Sequence, residues 1–403
     1  MNFKELGIRE EVCDALIGMD ITEPTEIQAK VMPDIIKGAD IIGVSKTGSG
    51  KTIAFSAPML NNIKSGAGIQ ALVVSPTREL AEQTSKEIQK ISKATKISTT
   101  VIYGGVSLQP QADNLRRADI VVGTPGRLLD HLARGSLKLS GIKVLVLDEC
   151  DKMVSMGFID DVEKILKATP KNRQTLLFGA TVSHEIAKIR DRYMNSPTVI
   201  KAESHVNDTL LNQYYYDVDK KEKFSLLVHL IKKENPKLAM IFCSTRKNAE
   251  IVSNNLKDQK LDALFIHGGL SQHSRLRVIE GFHKGRPEIL VATAVAARGL
   301  DIKGVTHIFN YDVPKDPEEY IHQIGRTARA GESGKAITLL SDSDHQNFSS
   351  ILRKYPVKIT KLPKESFFKV AFNARNSMPE RRDHGRPNFR GRGNNNNNRR
   401  HFR

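Results

Sequence analysis

Cysteine is scarce in this chain of 403 residues. Its three cysteines, Cys13, Cys150 and Cys243, are far apart and odd in number. That argues against a disulfide framework and against a zinc site. Long apolar runs are lacking too. No stretch approaches the ~18 apolar residues a membrane helix needs, so no membrane partner is expected. The opening Met1-Asn2-Phe3-Lys4-Glu5 carries charge early and leads into no apolar core segment. No secretory signal is therefore expected, and the cytoplasm is the expected compartment. Acidic residues are in deficit. Against 62 Lys and Arg stand 45 Asp and Glu, a net charge of +17. Residues 371–403 hold nine arginines against Glu380 and Asp383. A basic excess favours polyanions, chiefly nucleic acid, although charge alone also fits a basic protein that binds none.

What is present alternates. Short apolar runs such as Ile41–Val44, Ala71–Val74, Asp119–Val122, Val144–Leu147 and Thr175–Phe178 are separated by amphipathic stretches. Runs apolar on both faces read as buried parallel strands, which predicts an α/β, doubly wound fold with ligands at the C-terminal strand ends. The second half echoes the first in order. Pro76-Thr77-Arg78-Glu79-Leu80-Ala81-Glu82 returns as Ser244-Thr245-Arg246-Lys247-Asn248-Ala249-Glu250. Tyr103-Gly104-Gly105-Val106-Ser107 returns as His267-Gly268-Gly269-Leu270-Ser271. Ile120–Thr124 returns as Ile289–Thr293. The offsets are 168, 164 and 169 residues. Each echo alone is ordinary strand–turn–helix chemistry; three in one order at nearly one offset indicate two copies of one architecture.

Ser45-Lys46-Thr47-Gly48-Ser49-Gly50-Lys51-Thr52 follows one such strand and precedes a helix. Glycines let backbone N–H groups turn toward phosphates, and the helix start adds partial positive charge. Lys51 would neutralise β/γ-phosphates and Thr52 would ligate Mg²⁺. Ser45 stands where the strict phosphate-loop pattern has Gly. Downstream, Val144–Leu147 runs into Asp148-Glu149-Cys150-Asp151. Acids ending a buried strand are costly unless a cation balances them. They read either as a helix-start cluster or as an Mg²⁺ ligand, Asp148, beside a general base, Glu149. The upstream phosphate loop favours the second. His322 to Arg329 places Arg326 and Arg329 three residues apart. They read as a solvated basic face or as cations for a transition state formed by the other copy.

Together these residues resemble the DEAD-box family of superfamily-2 RNA helicases over about residues 3–345. The resemblance implies tandem RecA-like domains at 1–204 and 212–365; the polar, aperiodic stretch between them reads as a linker at 205–211, and the Arg-, Asn- and Gly-rich composition at the end predicts a disordered basic tail at 366–403. It implies ATP and Mg²⁺ as cofactors and an RNA-stimulated ATPase that separates short duplexes or remodels ribonucleoprotein complexes, with a monomer expected. By the same resemblance Phe3 and Pro24–Gln28 match the Q motif, with Gln28 reading adenine and Ile21 in place of a stacking aromatic. Asp301 would contact ribose. Thr77, Arg78, Gly105, Thr124, Arg127, Thr245, Arg246, Gln272, Arg275, Thr293, Arg298 and Gly299 would grip RNA. Gly179, Thr181 and His322 would couple hydrolysis to strand separation. Cys150, Gly179, Ala294, Gln323 and Ala328 depart from the family pattern. A DNA-directed motor and an RNA-clamping chaperone stay open as rival readings.

Overall fold

The computed structural model describes residues 2–45, 48–202, 211–297, 302, 304–328, 333–355 and 358–376. Residues 205–210 of the expected linker and the tail beyond 376 lie outside the described residues. So do Lys46, Thr47, Arg298, Gly299, Asp301 and Arg329. Fourteen described strands form two sheets. The first holds β1 (Ile41–Val44), β2 (Ala71–Val74), β3 (Thr99–Ile102), β4 (Ile120–Gly123), β5 (Val144–Asp148), β6 (Gln174–Gly179) and β7 (Thr198–Lys201). The second holds β8 (Leu211–Asp217), β9 (Ala239–Cys243), β10 (Ala263–Ile266), β11 (Ile289–Thr293), β12 (His307–Asn310), β13 (Gly334–Leu340) and β14 (Thr360–Lys361).

All the strand pairings are parallel. The first sheet runs β3-β4-β2-β5-β6-β1-β7 and the second β10-β11-β9-β12-β13-β8-β14. Each strand of the first has its counterpart at the same station of the second, so the internal repeat is architectural. Leu211 opens β8 and so belongs to the second unit, not to the linker.

Helices on both faces explain why the central strands are apolar throughout. In the first unit Ile41, Val73, Val146 and Phe178 point into one apolar layer, and Ile42, Leu72, Leu145 and Leu177 into the other. The second unit divides in the same way, with Ile241 and Phe309 on one side and Met240 and Ile308 on the other. Phe3, Leu6 and Ile8 close one end of the first core.

The tail begins later than its composition predicts. Residues 366–376 lie along the second unit. Val370 N–H donates to Ser225 Oγ at 3.1 Å, and Asn373 N–H to Asn255 Oδ1 at 2.7 Å. The Phe372 ring lies tilted against Phe224, with ring centres 4.9 Å apart. Just before this strap, Glu365 accepts from Tyr216 Oη at 2.6 Å, Lys233 Nζ at 2.6 Å and His229 at 3.0 Å. Composition hid the segment because its few apolar residues pack on a surface already built by distant sequence.

Candidate functional site

The phosphate-loop residues cluster at the C-terminal end of β1. Gly50 caps the Lys51–Asn61 helix in the left-handed region, φ 87°. There a side chain would be strained, and its Cβ would lie 2.3 Å from Gln28 Nε2. Lys51 is buried, and its Nζ donates to the Ser45 carbonyl at 2.7 Å. Ser45 Oγ and Ser49 Oγ are 2.8 Å apart. Gly48 also takes positive φ, and Thr52 is half-buried on the helix's first turn.

Gln28 does not stand free. Its Oε1 accepts from Thr25 N–H at 2.9 Å and its Nε2 donates to the Gly50 carbonyl at 3.0 Å. Thr25 Oγ1 donates to the Ser49 carbonyl at 2.8 Å. The Glu26–Ile36 helix start therefore clasps the loop from behind. Ile21 is half-buried and packs on the adjoining core.

Across the strand ends, Asp148 terminates β5 and Glu149 takes φ 51° before the Cys150–Ser155 helix. Both are buried. Burial and then the Glu149 charge push the Asp148 carboxyl up to about 7, with Lys51 and Lys152 opposing. Burial also raises Glu149, but Lys152 and Lys51 outweigh it and hold that carboxyl below its usual range. Lys152 Nζ sits 2.6 Å from Glu149 Oε2, with both side chains almost inaccessible. Asp151 Oδ2 accepts from Ala180 N–H at 2.9 Å and from Thr181 N–H at 3.2 Å, tying the acidic turn to the Gly179–Thr181 segment.

The second unit supplies Arg326. It is buried just past the Pro317–Ile324 helix, its Nε donates to the His322 carbonyl at 3.3 Å, and its charge bears on Glu149 and Lys152. Lys51, Asp148, Glu149, Lys152 and Arg326 thus form one cluster between the units. Gln323 is buried and donates to Glu319 at 3.4 Å, so it brings no further cation.

The residues read as an RNA track divide. Arg78 lies against the Gly104-Gly105 turn, where a Cβ on Gly105 would meet Nη1 at 2.2 Å. Arg246 lies against Gly268-Gly269 in the same way, 3.4 Å from a Cβ on Gly268. Thr77 and Thr245 cap the helices that carry these arginines, accepting from Leu80 N–H and Asn248 N–H. The sequence echo is therefore a repeated arginine-over-glycine turn. Thr124 caps the Pro125–Ala133 helix, and Thr293 ends β11. Arg127 turns inward: both Nη1 and Nη2 donate to the Val106 carbonyl at 3.1 Å. Gln272 and Arg275, expected on RNA, reach across to Glu79 of the first unit. Arg275 Nε lies 2.7 Å from Glu79 Oε1, and Gln272 Nε2 3.5 Å from the same atom.

Sequence reasoning passed over Lys152, and it placed Thr25, Glu79 and Asp151 within motifs without giving any of them a role of its own. Asp151 and Lys152 adjoin the acidic pair, and that adjacency was the available signal. Glu79 meets Arg275 across 196 residues, which no local pattern could reveal.

Among the described residues, a phosphate-type loop is found in the first unit only. Lys223, the first residue of the Lys223–Glu234 helix after β8, occupies the station of Lys51. Its Nζ lies 2.7 Å from Asp344 Oδ2 and 5.4 Å from the Tyr311 ring centre. A carboxylate there takes the place an anion would need.

The family model for DEAD/DEAH box helicases matches residues 25–189, and that for the helicase conserved C-terminal domain matches 222–331. The DEAD-box ATP-dependent RNA helicase CshA of Geobacillus kaustophilus is 46% identical over 84% of this chain and 73% of its own length. This chain is a DEAD-box helicase family member. Among solved DEAD-box structures, S. cerevisiae Dbp5 bound to RNA and ADP-BeF₃ is similar at TM-score 0.82, with 32% identity over 90% of this chain and 95% of that one. A DEAD-box protein from Methanococcus jannaschii has higher identity, 39%, over 90% of this chain and 99% of its own. Its TM-score is nevertheless 0.55. Over the whole chain the structure is thus more similar to the RNA- and nucleotide-bound protein than to this relative of higher identity.

Proposed function

We propose that the chain is an ATP-dependent RNA helicase that works as a two-unit clamp. The observation that carries this reading is the cluster of Lys51, Asp148 and Glu149 from one unit with Arg326 from the other. ATP fits between them. Lys51 and the backbone of Gly48–Gly50 face its phosphates, and Glu149 orients and deprotonates the attacking water. Arg326 balances charge that develops in the transition state. The buried Asp148 carboxyl, forced upward by its surroundings, is the kind of oxygen donor a hard divalent cation relieves, and with Thr52 it would hold Mg²⁺. Bound Mg²⁺ would supply charge neutralisation at the phosphates.

RNA lies along the strand ends where the two arginine–glycine turns sit. Arg78 and Arg246 contact phosphates and give grip without sequence choice. Gln272 and Arg275 act from the second unit on Glu79, so they close the clamp rather than line the track. ATP and RNA then favour the same closed arrangement, and RNA stimulates hydrolysis by linkage. Loss of phosphate reopens the clamp after one strand has been bent away. The protein acts in the cytoplasm on short duplexes or ribonucleoprotein complexes.

The test is ATP hydrolysis with and without single-stranded RNA, with matched DNA as control, followed by displacement of a short duplex. RNA-specific stimulation with displacement is expected. Equal stimulation by DNA would replace this reading with a DNA-directed motor. RNA and ATP binding without displacement would replace it with an RNA-clamping chaperone.

A further inference from the structure

Two departures from the family pattern meet at one point. Gly179 ends β6, and its carbonyl accepts from Ser45 N–H at 3.0 Å, so it also anchors the start of the phosphate loop. Cys150 opens the helix after the acidic pair and is 5% exposed. A Cβ on Gly179 would stand 3.2 Å from Cys150 Sγ, 3.1 Å from Asp151 Oδ1 and 3.3 Å from Asp151 Cγ. All three approaches are tighter than ordinary contacts of a Cβ, so a neighbour would have to give by a few tenths of an ångström. Asp151 cannot move freely. The same carboxylate holds Ala180 N–H at 2.9 Å and Thr181 N–H at 3.2 Å.

We infer that Cys150 and Gly179 form one positioning unit: the thiol fills the space beside the glycine, and this keeps the Asp151 carboxylate in register with the Ala180–Thr181 backbone. The inference rests on the helicase reading and deepens it. The acidic turn and the Gly179–Thr181 segment are joined by two hydrogen bonds from one carboxylate. Pressure applied at residue 179 is therefore delivered to the link between the hydrolytic site and the segment beside it. The side chain absent at 179 leaves the room that the thiol at 150 occupies. The two substitutions are thereby mutually dependent.

A double-mutant cycle in the full chain tests this, read as duplexes separated per ATP hydrolysed at saturating RNA. That ratio responds to coupling, whereas a purely structural defect lowers both rates together. Gly179→Ala and Gly179→Ser should each lower the ratio by about fivefold or more, because added volume in a packed junction forces displacement. Adding Cys150→Ala to either removes the Sγ contact but not the Asp151 contacts, and should recover part of the lost ratio. Cys150→Val overfills the same space from the other side. It should lower the ratio with Gly179 intact, which gives an independent reading should the glycine variants not fold. An unchanged ratio in either glycine variant, no relief from Cys150→Ala, or an unchanged ratio in Cys150→Val would each overturn the pairing. If the unmodified chain hydrolyses ATP with RNA yet separates no duplex, the helicase reading fails. The same cycle is then read in the RNA concentration giving half-maximal stimulation, with the same expectations.

Discussion

At the scale of single residues, the site is a cluster of buried charges, each held by a named neighbour. Lys51→Ala removes the cation proposed to face the phosphates and should abolish turnover; RNA-stimulated hydrolysis surviving in that variant would remove the phosphate-loop assignment. Lys152 is the less obvious case. Replacing it with Met leaves Glu149 buried without its partner, and breaking such a pair costs about 3–5 kcal/mol. A lower unfolding midpoint together with reduced turnover is expected, and a wild-type midpoint would show that Arg326 and Lys51 suffice. Asp148 sets a pH dependence. Its carboxyl is pushed up to about 7 by burial and by Glu149, so protons would compete with the proposed Mg²⁺ below that pH. Binding of Mg²⁺–nucleotide should strengthen as pH rises toward 7, with proton release falling to zero above it. Calorimetry in buffers of different ionisation heat reads that release.

At the scale of elements, parallel strands were legible and surface segments were not. Ile41–Val44 and Ala71–Val74 are strands over those residues, and Val144–Leu147 extends only to Asp148, because strands covered on both faces must be apolar without interruption. The phosphate loop was legible because its glycines serve backbone geometry. β7 carries largely exposed residues on a sheet edge, so no periodicity marks it. The 366–376 strap escaped notice for a related reason: its partners, Ser225 and Asn255, are more than 100 residues away. Its anchor, Glu365, has a testable signature. Burial opposes its ionisation, but Lys233, Tyr216 and His229 outweigh this and hold it down to about 2. A carboxyl depressed in the folded state contributes stability above its unfolded value, 4.5, and loses it as pH falls toward about 2. Glu365→Gln should therefore lower the unfolding midpoint at neutral pH, and the difference from the unmodified chain should shrink across that acid window. A difference independent of pH would assign the anchor to packing instead.

At the scale of the whole molecule, two copies of one architecture have diverged in opposite senses. One kept the phosphate loop, and the other placed Asp344 against the lysine at the equivalent station. One nucleotide per chain is expected, and equilibrium dialysis giving two would contradict that divergence. What the second copy contributes instead is Arg326 and the Arg275–Glu79 latch, neither of which the first copy can provide alone. Glu79→Gln removes the latch's charge without touching the cluster around Lys51. It should raise the RNA concentration needed for half-maximal stimulation more than it lowers the saturated rate. The most direct test of the clamp is reciprocal linkage. RNA affinity is measured with and without a non-hydrolysable ATP analogue, and analogue affinity with and without RNA. If both ligands draw the two units together, each tightens the other by the same factor. Affinities that ignore one another would mean that the two sites do not share one closing motion, and the account would fail at its centre.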